Sequence, residues 1–154
     1  MRVPTWVKTT AAVSAAALVG SVVTKPGSRW YRTLDKPPWQ PPQQAFPIVW
    51  TALYGLLAFG GARALDATGG DEHRALRASY GANLALNAGW TAVFFGARRP
   101  AAALAEITAL NVSNVDLVRR AWRADRVAGL AVAPYVAWTA FATALNADIV
   151  RRNR

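Results

Sequence analysis

Aromatic rings and carboxamides recur at helical spacing in three apolar stretches, and these are the side chains with chemistry to offer. With residues placed about 100° apart, Asn83, Asn87, Trp90 and Phe94 fall on one narrow helical face. Further on, Tyr135, Trp138 and Ala142 share a face, and earlier Phe46, Trp50, Leu53, Tyr54 and Leu57 repeat at the same spacing. Indole, phenol and amide groups do not make an acid–base or nucleophilic centre. The sequence has no Ser/His/Asp set, no metal-ligand cluster and no phosphate loop, and with no cysteine it excludes thiolate and disulfide chemistry. The single histidine, His73, lies in a charged segment without a second ligand and reads as a solvated surface residue. Glu106 is the one carboxylate well inside an apolar run, which marks it for a role by default, although Asn111, Ser113, Asn114 and Asp116 make its segment polar in a scattered way. Aromatic walls with a few amides suit a cavity for a flat apolar ligand.

Five apolar segments have to position these groups: 6–24, 46–64, 78–97, 101–119 and 127–149. Each is close to the roughly 20 residues that a bilayer core demands. Short connections between them predict an up-and-down helical bundle. The apolar fraction is 53% and the mean hydropathy only +0.14, because arginines cluster at the ends of the apolar runs, as at Arg98–Arg99, Arg119–Arg120 and Arg151–Arg152. That placement suits the flanks of membrane spans, where cationic head groups reach the interface, and it argues against nucleic acid as the reason for a net charge of +10. Lysine and arginine divide evenly between the two sides, so the positive-inside rule assigns no orientation. Trp6 and Trp122, at span ends, read as interfacial anchors.

The 25–45 connection differs from the rest. Pro37, Pro38, Pro41 and Pro42 remove backbone donors and disfavour helix, while Trp30, Tyr31 and Trp39 need something apolar to cover. Residues 30–45 therefore read as a stiff, extended lid lying on the bundle. At about 1.5 Å per residue, Trp50, Asn87, Trp90 and Trp138 all fall in the half of the bundle beneath that lid. On the third span, Gly81, Ala85 and Gly89 form a small-residue ridge opposite the asparagine–aromatic face. Such ridges let helices approach closely, within one chain or between two copies, so this ridge is a candidate dimer face.

Four motifs carry a family resemblance. They are W-Y-x-x-L-x-K-P-x-W-x-P-P from Trp30 to Pro42, F-P-x-V-W-T-x-L-Y from Phe46 to Tyr54, N-x-x-W-x-x-x-F-F-G from Asn87 to Gly96, and P-Y-x-A-W-x-x-F-A-x-x-L-N from Pro134 to Asn146. In these the chain resembles the TspO/MBR family of tryptophan-rich sensory and translocator proteins. The resemblance implies an all-α integral membrane protein: a single domain over 1–154, a five-helix bundle capped by its first loop, often a homodimer. It further implies binding of porphyrin, haem and other tetrapyrroles, and of isoquinoline carboxamide or benzodiazepine ligands, with no required cofactor. Tyr31, Trp50, Tyr54, Asn83, Asn87, Trp90, Phe94 and Trp138 match the family's ligand contacts. Animal relatives carry a tyrosine-containing sterol pattern near the end of the fifth helix. Here Leu145 to Arg151 contains no tyrosine, which argues against high-affinity cholesterol binding.

The first functional expectation is sensing or handling of tetrapyrroles in a membrane, with the bacterial cell membrane as the expected location. The macrocycle would stack on Trp50 and Trp138, the Asn83 and Asn87 amides would orient it, and Arg29, Arg32 or Lys36 of the lid would meet its propionates. A second is light-dependent oxidative degradation of protoporphyrin IX, with Trp50 and Trp138 as the redox-active residues. A third is transport of tetrapyrroles or sterols, for which the chain lacks the inverted repeats of alternating-access carriers.

Overall fold

The computed structural model describes residues 2–154. Its helices are α1 (Thr5–Val23), α2 (Arg29–Thr33), α3 (Ala45–Asp66), α4 (Gly70–Thr91), α5 (Pro100–Ala124) and α6 (Arg126–Arg152), and a π-helical turn over Ala92–Gly96 extends α4. The described residues contain no strand. By length and apolar composition α1, α3, α5 and α6 are able to cross a membrane. α4 is not one of the four, because Asp71, Glu72, Arg74 and Arg77 occupy its first turns and Asn83 and Asn87 lower the hydropathy of the rest. The count of apolar spans by these criteria is therefore four, against the five expected.

The five long helices pack as a ring. α1 lies against α3 and α4, α3 against α6, α6 against α5, and α5 against α4. The side chains facing inward away from the lid, among them Leu57, Leu76, Tyr80, Leu117, Val132 and Tyr135, form the main core. The outer surface is apolar as well: Leu18, Val22, Ile48, Phe59, Val112 and Leu130 are exposed, and Trp6 and Trp122 are exposed near helix ends. A water-facing bundle would carry polar residues there. Apolar side chains on the outside match a lipid surround.

Helix ends depart from the expected limits because charged residues continue the helices instead of ending them. α4 begins at Gly70, where Asp71 and Glu72 sit favourably against the positive end of its dipole. The 65–77 connection that the spans 46–64 and 78–97 leave between them is mostly helix, with only 67–69 outside α3 and α4. Between α5 and α6 only Asp125 is non-helical: its carboxylate accepts from the Ala128 amide at 2.8 Å and from Arg63 at 2.6 Å, capping α6 while it ties α3 to the turn. The Arg63 hydrogen bond is also the main reason the Asp125 carboxyl is held below its usual range. His73 is half-buried rather than freely solvated, and its Nδ1 donates to the Leu65 carbonyl at 3.0 Å, joining Thr68 there and tying the start of α4 to the end of α3.

The lid is not wholly extended. Ser28 accepts from the Tyr31 amide at 3.2 Å and starts α2, a short helix that ends before the proline run. The lid is then fastened to the C-terminus. The Asp35 amide donates to Asn153 Oδ1 at 2.9 Å, and Asn153 Nδ2 donates back to the Asp35 carbonyl at 2.8 Å. α6 itself runs unbroken through Pro134.

Candidate functional site

Beneath the lid the ring of helices encloses a cavity of about 450 Å³, within the range of small-molecule sites. The lid and α2 contribute Pro26, Tyr31 and Gln43; α3 contributes Phe46, Trp50 and Tyr54; α4 and its π turn contribute Trp90, Phe94 and Phe95; α6 contributes Trp138 and Asn146. The rings form a packed wall. Trp50 and Tyr54 lie 5.4 Å apart at 32°, Trp90 and Phe94 5.4 Å apart at 33°, and Phe46 meets Trp138 edge-on at 5.9 Å. The π turn places both Phe94 and Phe95 on this wall, although neighbours in a regular helix point about 100° apart.

Six of the eight expected binding residues line this cavity: Tyr31, Trp50, Tyr54, Trp90, Phe94 and Trp138. Asn83 and Asn87 do not. They sit one layer deeper, fully buried, in a chain of hydrogen bonds that crosses the bundle. Tyr54 donates to Asn87 at 2.9 Å, Asn87 to the Tyr135 hydroxyl at 3.2 Å, and Tyr135 to Asn83 at 3.0 Å. Asn83 then donates to Asn114 at 2.7 Å, and Asn114 to Thr139 at 2.6 Å. Every donor in this chain has an acceptor, as groups withdrawn from water require. The asparagine face of α4 thus does point inward, but its amides reach the cavity only through Tyr54.

The helix amide at the cavity is instead Asn146, beside Gln43 of the lid; Asn146 accepts from the Trp90 indole at 3.1 Å and donates to the Pro100 carbonyl at 2.9 Å. The Trp138 indole N–H is buried without a partner, a donor available at the wall. No charged side chain lines the cavity. Arg29 and Arg32 are exposed on the lid, and Lys36 is held within it, donating to the Leu34 carbonyl at 3.0 Å and lying 4.6 Å above the Tyr31 ring. The expected cationic contacts are therefore on the lid's surface rather than on the cavity wall. Burial under the lid raises the Tyr31 phenol above its usual range, against the lowering effect of its bond from Gln40.

α1 had no expected role, yet Ala17, Gly20, Ser21 and Thr24 close one side of the cavity. These are small, common residues, and only the register between helices identifies them: Thr9 donates to the Ala58 carbonyl at 2.9 Å, which sets Ala17 and Gly20 opposite Trp50 and Pro47 in the antiparallel pair. Of the small-residue ridge on α4, Gly81 and Ala85 are exposed, with no atom within 4 Å of a Cβ built at Gly81. Gly89 faces α5 of the same chain, where a Cβ would come 3.0 Å from Glu106 Oε1. Glu106 Oε2 is buried with no partner.

Comparison with known proteins agrees with the motifs. The sequence model of the TspO/MBR family matches residues 9–152. A tryptophan-rich sensory protein of Cereibacter sphaeroides is 37% identical over 93% of this chain and 87% of its own length. The tryptophan-rich protein TspO of Chlorobaculum tepidum is 37% identical over 90% of this chain and 89% of its own. The human translocator protein is 34% identical over 97% and 92%. Near-complete coverage in both directions means that the ring of helices, the lid and the aromatic wall all lie within the matched region, and the chain belongs to the TspO/MBR family.

Proposed function

We propose that this protein binds a flat, largely apolar ring system of the porphyrin or tetrapyrrole class in the cavity beneath the lid, and that it acts in sensing or handling such compounds. The observation that carries this reading is the wall itself: three tryptophans, Trp50, Trp90 and Trp138, with Tyr54, Phe46 and Phe94 around one 450 Å³ space that holds no charged side chain. A macrocycle gains from stacking on such rings, and the unpartnered Trp138 N–H offers a hydrogen bond to an acceptor on its edge. Isoquinoline carboxamide and benzodiazepine ligands, also flat and apolar, suit the same wall. Haem or porphyrin enters as ligand, and binding requires no further cofactor.

The same reading includes all five long helices spanning a bacterial cell membrane. α4 becomes a span in spite of its charged start because Asp71, Glu72, Arg74 and Arg77 occupy only its first turns, which extend beyond the apolar part. A homodimer formed through Gly81 and Ala85 belongs to it too, since both are exposed on α4. Cholesterol is not the expected ligand. A second reading is light-dependent oxidation of bound protoporphyrin IX, and it is favoured by Trp50 and Trp138 both lining the cavity.

The test is a dark titration with protoporphyrin IX, following tryptophan fluorescence for wild type and Trp138→Phe, each endpoint then illuminated in air. Saturable quenching weakened in the variant is expected. Identical, unsaturable quenching in both would reduce the effect to partition into detergent. New absorbance products in wild type that vanish in Trp138→Phe would establish the second reading.

A further inference from the structure

We propose that the seam between α1 and α3 holds the aliphatic tail of a ligand whose ring occupies the cavity, so that the substrate class is a flat ring system still anchored in the bilayer by one long chain. This rests on the cavity reading above. Two observations point to the seam. Among the residues lining the cavity, only Ser21, Gln43, Pro47 and Thr51 are exposed, and all four lie along the edge where α1 meets the start of α3. The rest of the lining is buried or half-buried, with Tyr31, Phe94, Leu145 and Ile149 among the buried residues. The exposed edge is the most open way out for a tail attached to a bound ring.

The second observation is what lies along that way. A groove of about 420 Å³ continues down the same seam, lined by Trp6, Thr10, Val13 and Ser14 of α1 and by Tyr54, Gly55, Ala58 and Phe59 of α3. Tyr54 belongs to both spaces, with the cavity on one side and the groove on the other. From Ser14 to Trp6 the groove follows α1 for about 12 Å at 1.5 Å per residue. It is mainly apolar and opens on the lipid-facing surface, where Trp6 and Phe59 are exposed. Gly55 faces open space along it: nothing lies within 4 Å of a Cβ built there. Inside a bilayer an aliphatic chain gains no hydrophobic free energy by leaving lipid for a groove. The groove therefore governs where the tail lies rather than how tightly the ring binds, and placement of the tail is the quantity to measure.

The probe is a protoporphyrin IX monoester of a straight-chain alcohol carrying a terminal diazirine, photolysed without oxygen on the full chain in lipid nanodiscs. The expected adducts fall on Trp6–Ser14 of α1 and Gly55–Phe59 of α3. Excess free protoporphyrin IX displaces them, and Gly55→Trp lowers them severalfold while the affinity for free protoporphyrin IX, read from the porphyrin's own absorbance, is unchanged. Saturable binding of free protoporphyrin IX with adducts on lipid or other helices overturns the seam alone. So does a yield indifferent to Gly55→Trp, or adducts joining two copies of the chain, which would mean that a second copy covers the seam. If free protoporphyrin IX shows no saturable binding, the cavity reading fails first and the seam with it.

Discussion

The Tyr54 hydroxyl donates to Asn87 Oδ1 at 2.9 Å, and through it the wall of the cavity is joined to the buried polar layer of α4, α5 and α6. Tyr54 is the only cavity residue that donates to a side chain of this layer among the described hydrogen bonds; Thr91 reaches only the Asn87 backbone carbonyl. Its ring stacks beside Trp50 on the side facing the ligand space. Tyr54→Phe keeps that ring and leaves Asn87 Oδ1 without its donor. Hydrogen bonds between membrane helices average about 0.6 kcal/mol and reach about 1.7 kcal/mol, so a loss in that range is expected. Thermal unfolding in detergent reads it, and an unchanged Tm would show that the polar layer is not held through Tyr54.

Close helix approach makes a sharper demand at Gly61. A Cβ there would come 2.6 Å from the ring of Tyr80. That ring is buried and pinned by its hydroxyl, which donates to the Leu57 carbonyl at 3.0 Å. Gly61→Ala should cost about 1–3 kcal/mol by overpacking. Gly55→Ala, on the open seam of the same helix, should be neutral or slightly stabilising, since alanine is the better helix former. Equal unfolding temperatures for the two variants would mean that α3 and α4 do not approach as closely as Gly61 and Tyr80 indicate.

The turn between α5 and α6 carries a pH dependence whose sign is set by Arg63. Because the Arg63 hydrogen bond holds the Asp125 carboxyl below its ordinary value, the folded state binds the Asp125 proton less readily than the unfolded chain. The stabilisation is thus present above the unfolded value, about 3.9, and lost as pH falls through the lower folded one. The gap in Tm between wild type and Asp125→Asn should be widest near neutrality and close below about pH 4. A gap independent of pH would remove the ion pair from the explanation and leave only the cap on Ala128.

The lid is latched by a residue almost at the chain's end. Asn153 makes two bonds to the backbone of Asp35, so Asn153→Ala should free the Asp35 amide for solvent exchange. With about 1 kcal/mol for a bond of this kind, exchange at Asp35 should accelerate about fivefold. The buried Tyr31 and Pro37 keep the remainder of the lid in place. Unchanged protection at Asp35 would show that the C-terminus does not hold the lid.

Helical periodicity, proline placement and the grouping of arginines were enough to read an apolar helical bundle with an aromatic face under a proline-rich lid. Trp50, Trp90, Phe94 and Trp138 were legible because one helix places residues three or four apart on one side, which is a local rule. Helix ends were less legible, since Asp71, Glu72 and Asp125 look like loop residues in a hydropathy pattern but act as dipole partners and a cap. Asn83 and Asn87 lie on the face that their spacing predicts, but one layer below the cavity. Whether an amide meets a ligand or another helix depends on what stands opposite it, and here Tyr54 and Tyr135 do. The contribution of α1 could not be read at all: Ala17, Gly20 and Ser21 have no chemistry of their own, and they become a wall only through the register with α3. Local spacing along one chain determined which side chains turn inward, while the separation and register of the helices, set by packing between distant segments, decided where a cavity remained and on which side it opens.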